Sequence, residues 1–133
     1  MKLRISASFA LALALVASSA WAHHNMSALF DFNQRFTRTG TLTKSDWRNP
    51  HIYLSVDAKN DQGPVEIVET WSFEGPAPNV FRNLNAGKSD FENAVGKTVK
   101  VEASRARDGS LGGLIRIITL PDGKVVSLCP QNC

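Results

Sequence analysis

The chain has 133 residues, with 15 Lys and Arg against 12 Asp and Glu and a formal charge of +3. That length fits roughly one small domain behind a short leader. The small, dispersed charge excess argues against a nucleic-acid-binding protein, which would need a clustered basic face, and no block of like charge points to a polyanion or a membrane surface.

The first 22 residues have the three parts of a secretory signal. Lys2 and Arg4 form the positive start, residues 9–16 (FALALALV) the apolar centre, and Ala20-Trp21-Ala22 the small-residue cleavage site. The apolar run falls short of the roughly 20 residues a membrane helix needs. The expected mature protein is therefore periplasmic or secreted, with no stable membrane span after cleavage. Without Lys2 and Arg4, 13 of the 15 basic residues remain against 12 acidic ones, a balance of +1.

Cleavage after Ala22 makes His23-His24-Asn25-Met26 the new N-terminus. Residues 23–35 show no clean period and are expected to form an arm, pinned to the domain by Leu29, Phe30 and Phe32. Strand patterning begins at residue 36, and residues 36–44 are rich in β-branched side chains. Gly40 lies inside that strand, where glycine marks a bulge or a sharp bend. Asn49-Pro50 punctuates a turn.

Residues 51–57 alternate, with Ile52, Leu54 and Val56 facing one way and His51, Tyr53, Ser55 and Asp57 the other, as in a half-buried strand. Asn60-Asp61-Gln62-Gly63 is a hairpin-type connection to a third strand, residues 65–73. After Gly75-Pro76-Ala77-Pro78, residues 79–84 suit a short helix with Val80, Phe81 and Leu84 on one face. Three more strands are expected at 98–105, 114–120 and 124–128, separated by Asp108-Gly109 and Pro121-Asp122-Gly123.

Three strands, a short helical connection and two or three further strands predict an all-β fold over residues 36–128, a small OB-like barrel of five to six strands. Closure removes exposed sheet edges. A β-sandwich is the alternative. The tail, residues 129–133, carries both cysteines. Cys129 and Cys133 are expected to form a disulfide in an oxidising compartment, with soft copper ligation by free thiols as the other use.

The histidines carry the chemical hypothesis. A terminal amine has an ordinary pKa near 7.7–8 and yields its proton readily to a metal. His23 would offer that amine and its imidazole to one ion, and copper(II) favours such nitrogen sets. His51 would supply a third nitrogen, as in histidine-brace sites, with His24 or Met26 as accessory ligands. Zinc fits less well, because structural zinc takes four protein ligands. Against this stand the plain readings: a frayed N-terminus, and a His51 that merely holds the Asn-Pro turn.

Other groups have two readings as well. Trp47, Tyr53, Trp71 and Phe73 could line a binding face, but their strand spacing favours core. Arg105 and Arg107 with Asp108 suit either an anion or a hairpin-end ion pair. Glu69 shares the alternation of Trp71 and Phe73 and either points inward to a partner or is turned out by a bulge. No nucleophile triad, close carboxylate pair or phosphate loop stands out, so the chain leans away from catalysis.

The Ala22-His23-His24 cleavage junction resembles that of the DUF6152 family, small exported bacterial proteins of unknown function. So do Thr39-Gly40-Thr41-Leu42-Thr43-Lys44 leading through Trp47 to Asn49-Pro50-His51, then Ala106-Arg107-Asp108-Gly109 and Leu120-Pro121-Asp122-Gly123. The resemblance spans nearly all of the mature chain. It implies an exported single domain resembling an OB-type barrel, with no established activity. The family's histidine pair and Asn-Pro-His match His23, His24 and His51; the cysteine tail is not part of that pattern. Two functions follow as expectations: a periplasmic copper-binding or carrier protein, or a metal-free OB-like module for a small ligand or an envelope protein.

Overall fold

The computed structural model describes residues 26–60 and 66–128. Their order is α1 (Met26–Leu29), β1 (Phe30–Trp47), β2 (Ile52–Lys59), β3 (Val68–Glu74), a 3-10 turn (Pro78–Asn83), α2 (Lys88–Ala94), β4 (Thr98–Ala106), β5 (Gly112–Thr119) and β6 (Val125–Ser127). The sheet order is β3-β2-β1-β4-β5-β6, and an additional parallel pairing of β3 with β5 closes five strands into a hydrogen-bonded ring. This is the all-β architecture expected, with the closure of an OB-type arrangement and short helical pieces between β3 and β4.

The ring closes because β1 is long enough to serve two neighbours. Its first part pairs with β4 and its last part with β2, and Gly40 and Thr41 pair with both. A Cβ on Gly40 would lie 2.2 Å from the Asp57 carbonyl oxygen. Glycine is thus needed here for close backbone approach, while the bulge in the β1–β2 pairing falls between Leu42 and Lys44.

Period-two patterning fills the ring. Ile52, Leu54, Val56 and Ala58 of β2 are buried, as are Trp71 and Phe73 of β3, Val99, Val101 and Ala103 of β4, and Ile115 and Ile118 of β5. Each large apolar side chain contributes about 1.5–3 kcal/mol on burial. The β3–β4 connection adds an aromatic cluster: Trp47 and Phe81 lie 4.6 Å apart, and Phe91 packs against both at 5.4 and 5.6 Å. Trp71 is flanked by the guanidinium groups of Arg38 and Arg105, 4.4 and 4.8 Å from its ring centre.

Four elements differ from expectation. β1 starts at Phe30, so residues 30–35 of the expected arm belong to a strand. β3 starts at Val68 rather than Val65. The helix expected at 79–84 is the 3-10 turn Pro78–Asn83, which buries Phe81 and leaves Val80 exposed. The α-helix Lys88–Ala94 was not anticipated. The Asp90 carboxylate accepts a hydrogen bond from the Gly87 N–H at its start, and Phe91 and Ala94 pack inward one turn apart.

Candidate functional site

His51 follows the turn that carries the cis Asn49–Pro50 bond and immediately precedes β2. The β2–β3 register sets Tyr53 opposite Glu74. Beyond that pair the Ile52 N–H donates to the Pro76 carbonyl (3.2 Å) and the Gly75 N–H to the Ile52 carbonyl (2.9 Å), which holds Glu74 beside His51. Since Ile52, Leu54 and Phe73 face the core, these polar neighbours lie on the outer face of the ring.

His51 Nδ1 is 2.5 Å from Glu74 Oε1, with the two side chains 32% and 15% exposed. A carboxylate so close favours a proton on Nδ1, which leaves the electron pair of a neutral imidazole on Nε2. The same carboxylate accepts a hydrogen bond from Tyr53. Burial, and then the negative charge of Glu74, push the Tyr53 hydroxyl above its ordinary pKa. The Arg48 guanidinium stands 5.1 Å over the Tyr53 ring and its Nε is 3.4 Å from Asp46 Oδ2.

A cleft of about 340 Å³ opens next to this group. Ala28, Leu29, Phe30 and Leu111 supply apolar wall, and Tyr53 and Glu74 supply polar wall. The α1 turn is tied there by Arg107, whose backbone N–H donates to the Leu29 carbonyl and whose Nε donates to the Ser27 carbonyl, both at 2.9 Å. The first described residues of the chain thus sit at the same end of the ring as Glu74.

Of the expected metal-site residues, His51 and Met26 are described. His23, His24 and the cysteines Cys129 and Cys133 lie outside the described residues, as does the Ala22 cleavage point. Among the described residues no group of three or more His, Cys, Asp or Glu is placed to hold a metal ion, and no helix is long and apolar enough to cross a membrane. The described residues therefore bring one candidate ligand, His51, together with a carboxylate that orients it.

The remaining candidates divide. Trp71 and Phe73 are core, and Trp47 packs half-buried against it. Tyr53 faces outward, and sequence reading missed its partner Glu74. Glu69 is half-buried and accepts a 2.9 Å hydrogen bond from Asn60 Nδ2. Arg107 forms its ion pair with Asp31 at 3.7 Å rather than with Asp108. The Asp108 carboxyl lies below its ordinary pKa because Ser110 donates hydrogen bonds to it.

Among known families, the model for DUF6152, a family of unknown function, matches residues 11–116. No curated protein and no solved structure matches the chain.

Proposed function

The chain belongs to the DUF6152 family, and we propose that this protein is an exported copper-binding protein that carries, buffers or delivers the ion in the periplasm. His23 supplies its amine and imidazole and His51 Nε2 the third nitrogen, with His24 or Met26 as accessory ligands. The observation that carries this reading is the 2.5 Å contact of His51 Nδ1 with Glu74. A carboxylate on one ring nitrogen is the usual outer partner of a metal-bound imidazole; it fixes the ring and raises the basicity of the other nitrogen.

Chain geometry supports the pairing. His23 and Met26 are three chain steps apart, a reach of about 10 Å when extended, and Ala28 and Leu29 border the cleft that Glu74 lines. The test compares copper(II) binding by protein beginning at His23 with binding by protein carrying one extra N-terminal residue. The extra residue should abolish tight binding, and His51→Ala should weaken it by at least about tenfold, as loss of one ligand or its orienting partner does. Equal, weak binding by all three proteins overturns the proposal.

The metal-free module has its own support in the cleft, whose largely apolar wall and few polar groups suit a small ligand. That reading gains if the three proteins bind copper equally and weakly while a small apolar ligand protects Tyr53 and Leu111.

A further inference from the structure

Arg116 presents a separate problem of charge. It lies on β5, yet the residue is only 8% exposed. The cause is a bulge: Glu102 pairs with Ile117 and Ala103 with Ile115, so Arg116 has no opposite residue on β4. Such an extra residue re-aims its side chain. The Leu128 N–H satisfies its carbonyl at 2.8 Å. Its guanidinium reaches β4 and donates from Nη1 to the Ser104 hydroxyl at 3.0 Å, a bond buried in the structure.

A withdrawn guanidinium ordinarily has a carboxylate beside it. Among the described residues Arg116 has none within ion-pair distance. Instead a second cation, Arg35 of β1, shares a pocket of about 130 Å³ with it, together with Phe36, Thr37, Glu102, Ala103 and Ile117. The one carboxylate there, Glu102, forms its ion pair with Lys100 at 3.7 Å. Burial, and then the charge of Arg35, hold the Arg116 guanidinium below its ordinary pKa.

We infer that this pocket binds a single oxyanion group, a phosphoryl or carboxylate group of a small molecule, between Arg116 and Arg35. The pocket is small enough to suit one such group. Two guanidinium groups supply the planar, multiple N–H donation that oxyanions accept, and Ser104 fixes one edge of Arg116. An anion here would offset the charge that burial leaves uncompensated. The site is independent of the histidine chemistry at the other group.

The experiment titrates the purified protein with inorganic phosphate and, separately, with acetate, against chloride at matched ionic strength, following the backbone amides by NMR. Saturable shifts at Arg116, Ser104 and Ile117 are expected with at least one of the two oxyanions and not with chloride. Phosphate alone identifies a phosphoryl ligand, and acetate alone a carboxylate. Arg35→Gln, a change at an exposed side chain, should weaken binding by about tenfold or more, the loss of one charge-assisted contact. Arg116→Met should abolish it; should that variant not fold, the Arg35→Gln titration decides. The inference is overturned if neither oxyanion saturates, if chloride reproduces the shifts, or if Arg35→Gln binds as tightly as the parent.

Discussion

His51 and Arg116 are basic side chains of one ring, withdrawn from water in opposite ways. His51 has a carboxylate at 2.5 Å and stays one-third exposed; Arg116 is nearly buried and has a neutral hydroxyl at 3.0 Å. In the neutral ring, the counter-charge beside His51 favours Nδ1 as the N–H nitrogen, with Nε2 the donor atom for a cation. The missing counter-charge beside Arg116 leaves N–H groups with no acceptor of opposite sign, a demand for an anion. The same scaffold thus presents one group suited to a cation and another suited to an anion.

The largest effect should come from removing what the two regions share. Phe73 is fully buried and its backbone pairs with both Leu54 of β2 and Gly113 of β5, so it sits at the seam that closes the ring. Phe73→Ala should cost about 3–5 kcal/mol in urea unfolding and reduce copper and oxyanion responses together. A variant that loses that stability yet keeps one response intact would show that the two groups do not depend on the same closure.

Intermediate effects should separate the two. Glu74→Ala takes the acceptor from both His51 and Tyr53 and should destabilise by about 1–2 kcal/mol, alongside weaker copper binding. Arg116→Met combined with Ser104→Ala removes a buried charge and its hydroxyl partner at once. Replacing buried polar partners by apolar groups of similar shape is near neutral or stabilising, so the double variant should unfold at a urea concentration equal to or above that of the parent. A loss of more than about 2 kcal/mol there would make Arg116 a structural brace and end the contrast.

The two groups were not equally legible. His51 stood out in the sequence because histidine is scarce, but Glu74 did not, since it lies 23 positions away and depends on the β2–β3 register. A tight hairpin at Asn60–Gly63 sets a different register from the one observed, in which Asn60 is bonded to Ile67 and Ala58 pairs with Glu69. Arg116 hid inside the strand expected at 114–120, because a bulge interrupts the alternation that would have assigned its face. The same cause concealed the start of β1: its pairing with β4 shifts between Asp31 and Arg35, so residues 30–36 carry no clean period. Helix α2 has seven residues and two buried ones, too few for a helical period to emerge. By contrast β2 was legible throughout, being unbroken alternation over a core face.

Lys124 supplies the smallest and most discriminating test, because it resembles His51 in pairing and differs in chemistry. Its Nζ donates to Asp90 Oδ1 at 2.6 Å. That bond, with the one from the Gly87 N–H, holds the Asp90 carboxyl below its ordinary pKa of 3.8. A paired ammonium has no electron pair left for a cation, so pairing with a carboxylate does not by itself create a metal ligand. Because the folded-state value is lowered, the contribution of Asp90 to stability is complete above the ordinary carboxylate range and is lost as pH falls through the folded value. Lys124→Met should therefore raise the Asp90 pKa toward 3.8, measured by NMR titration of its carboxyl carbon. The variant should start from a lower plateau of stability at neutral pH and lose less on acidification than the parent. Copper and oxyanion binding should both be unchanged. If copper binding instead falls by as much as is expected for Glu74→Ala, the carboxylate beside His51 acts through general charge balance rather than through the imidazole it touches.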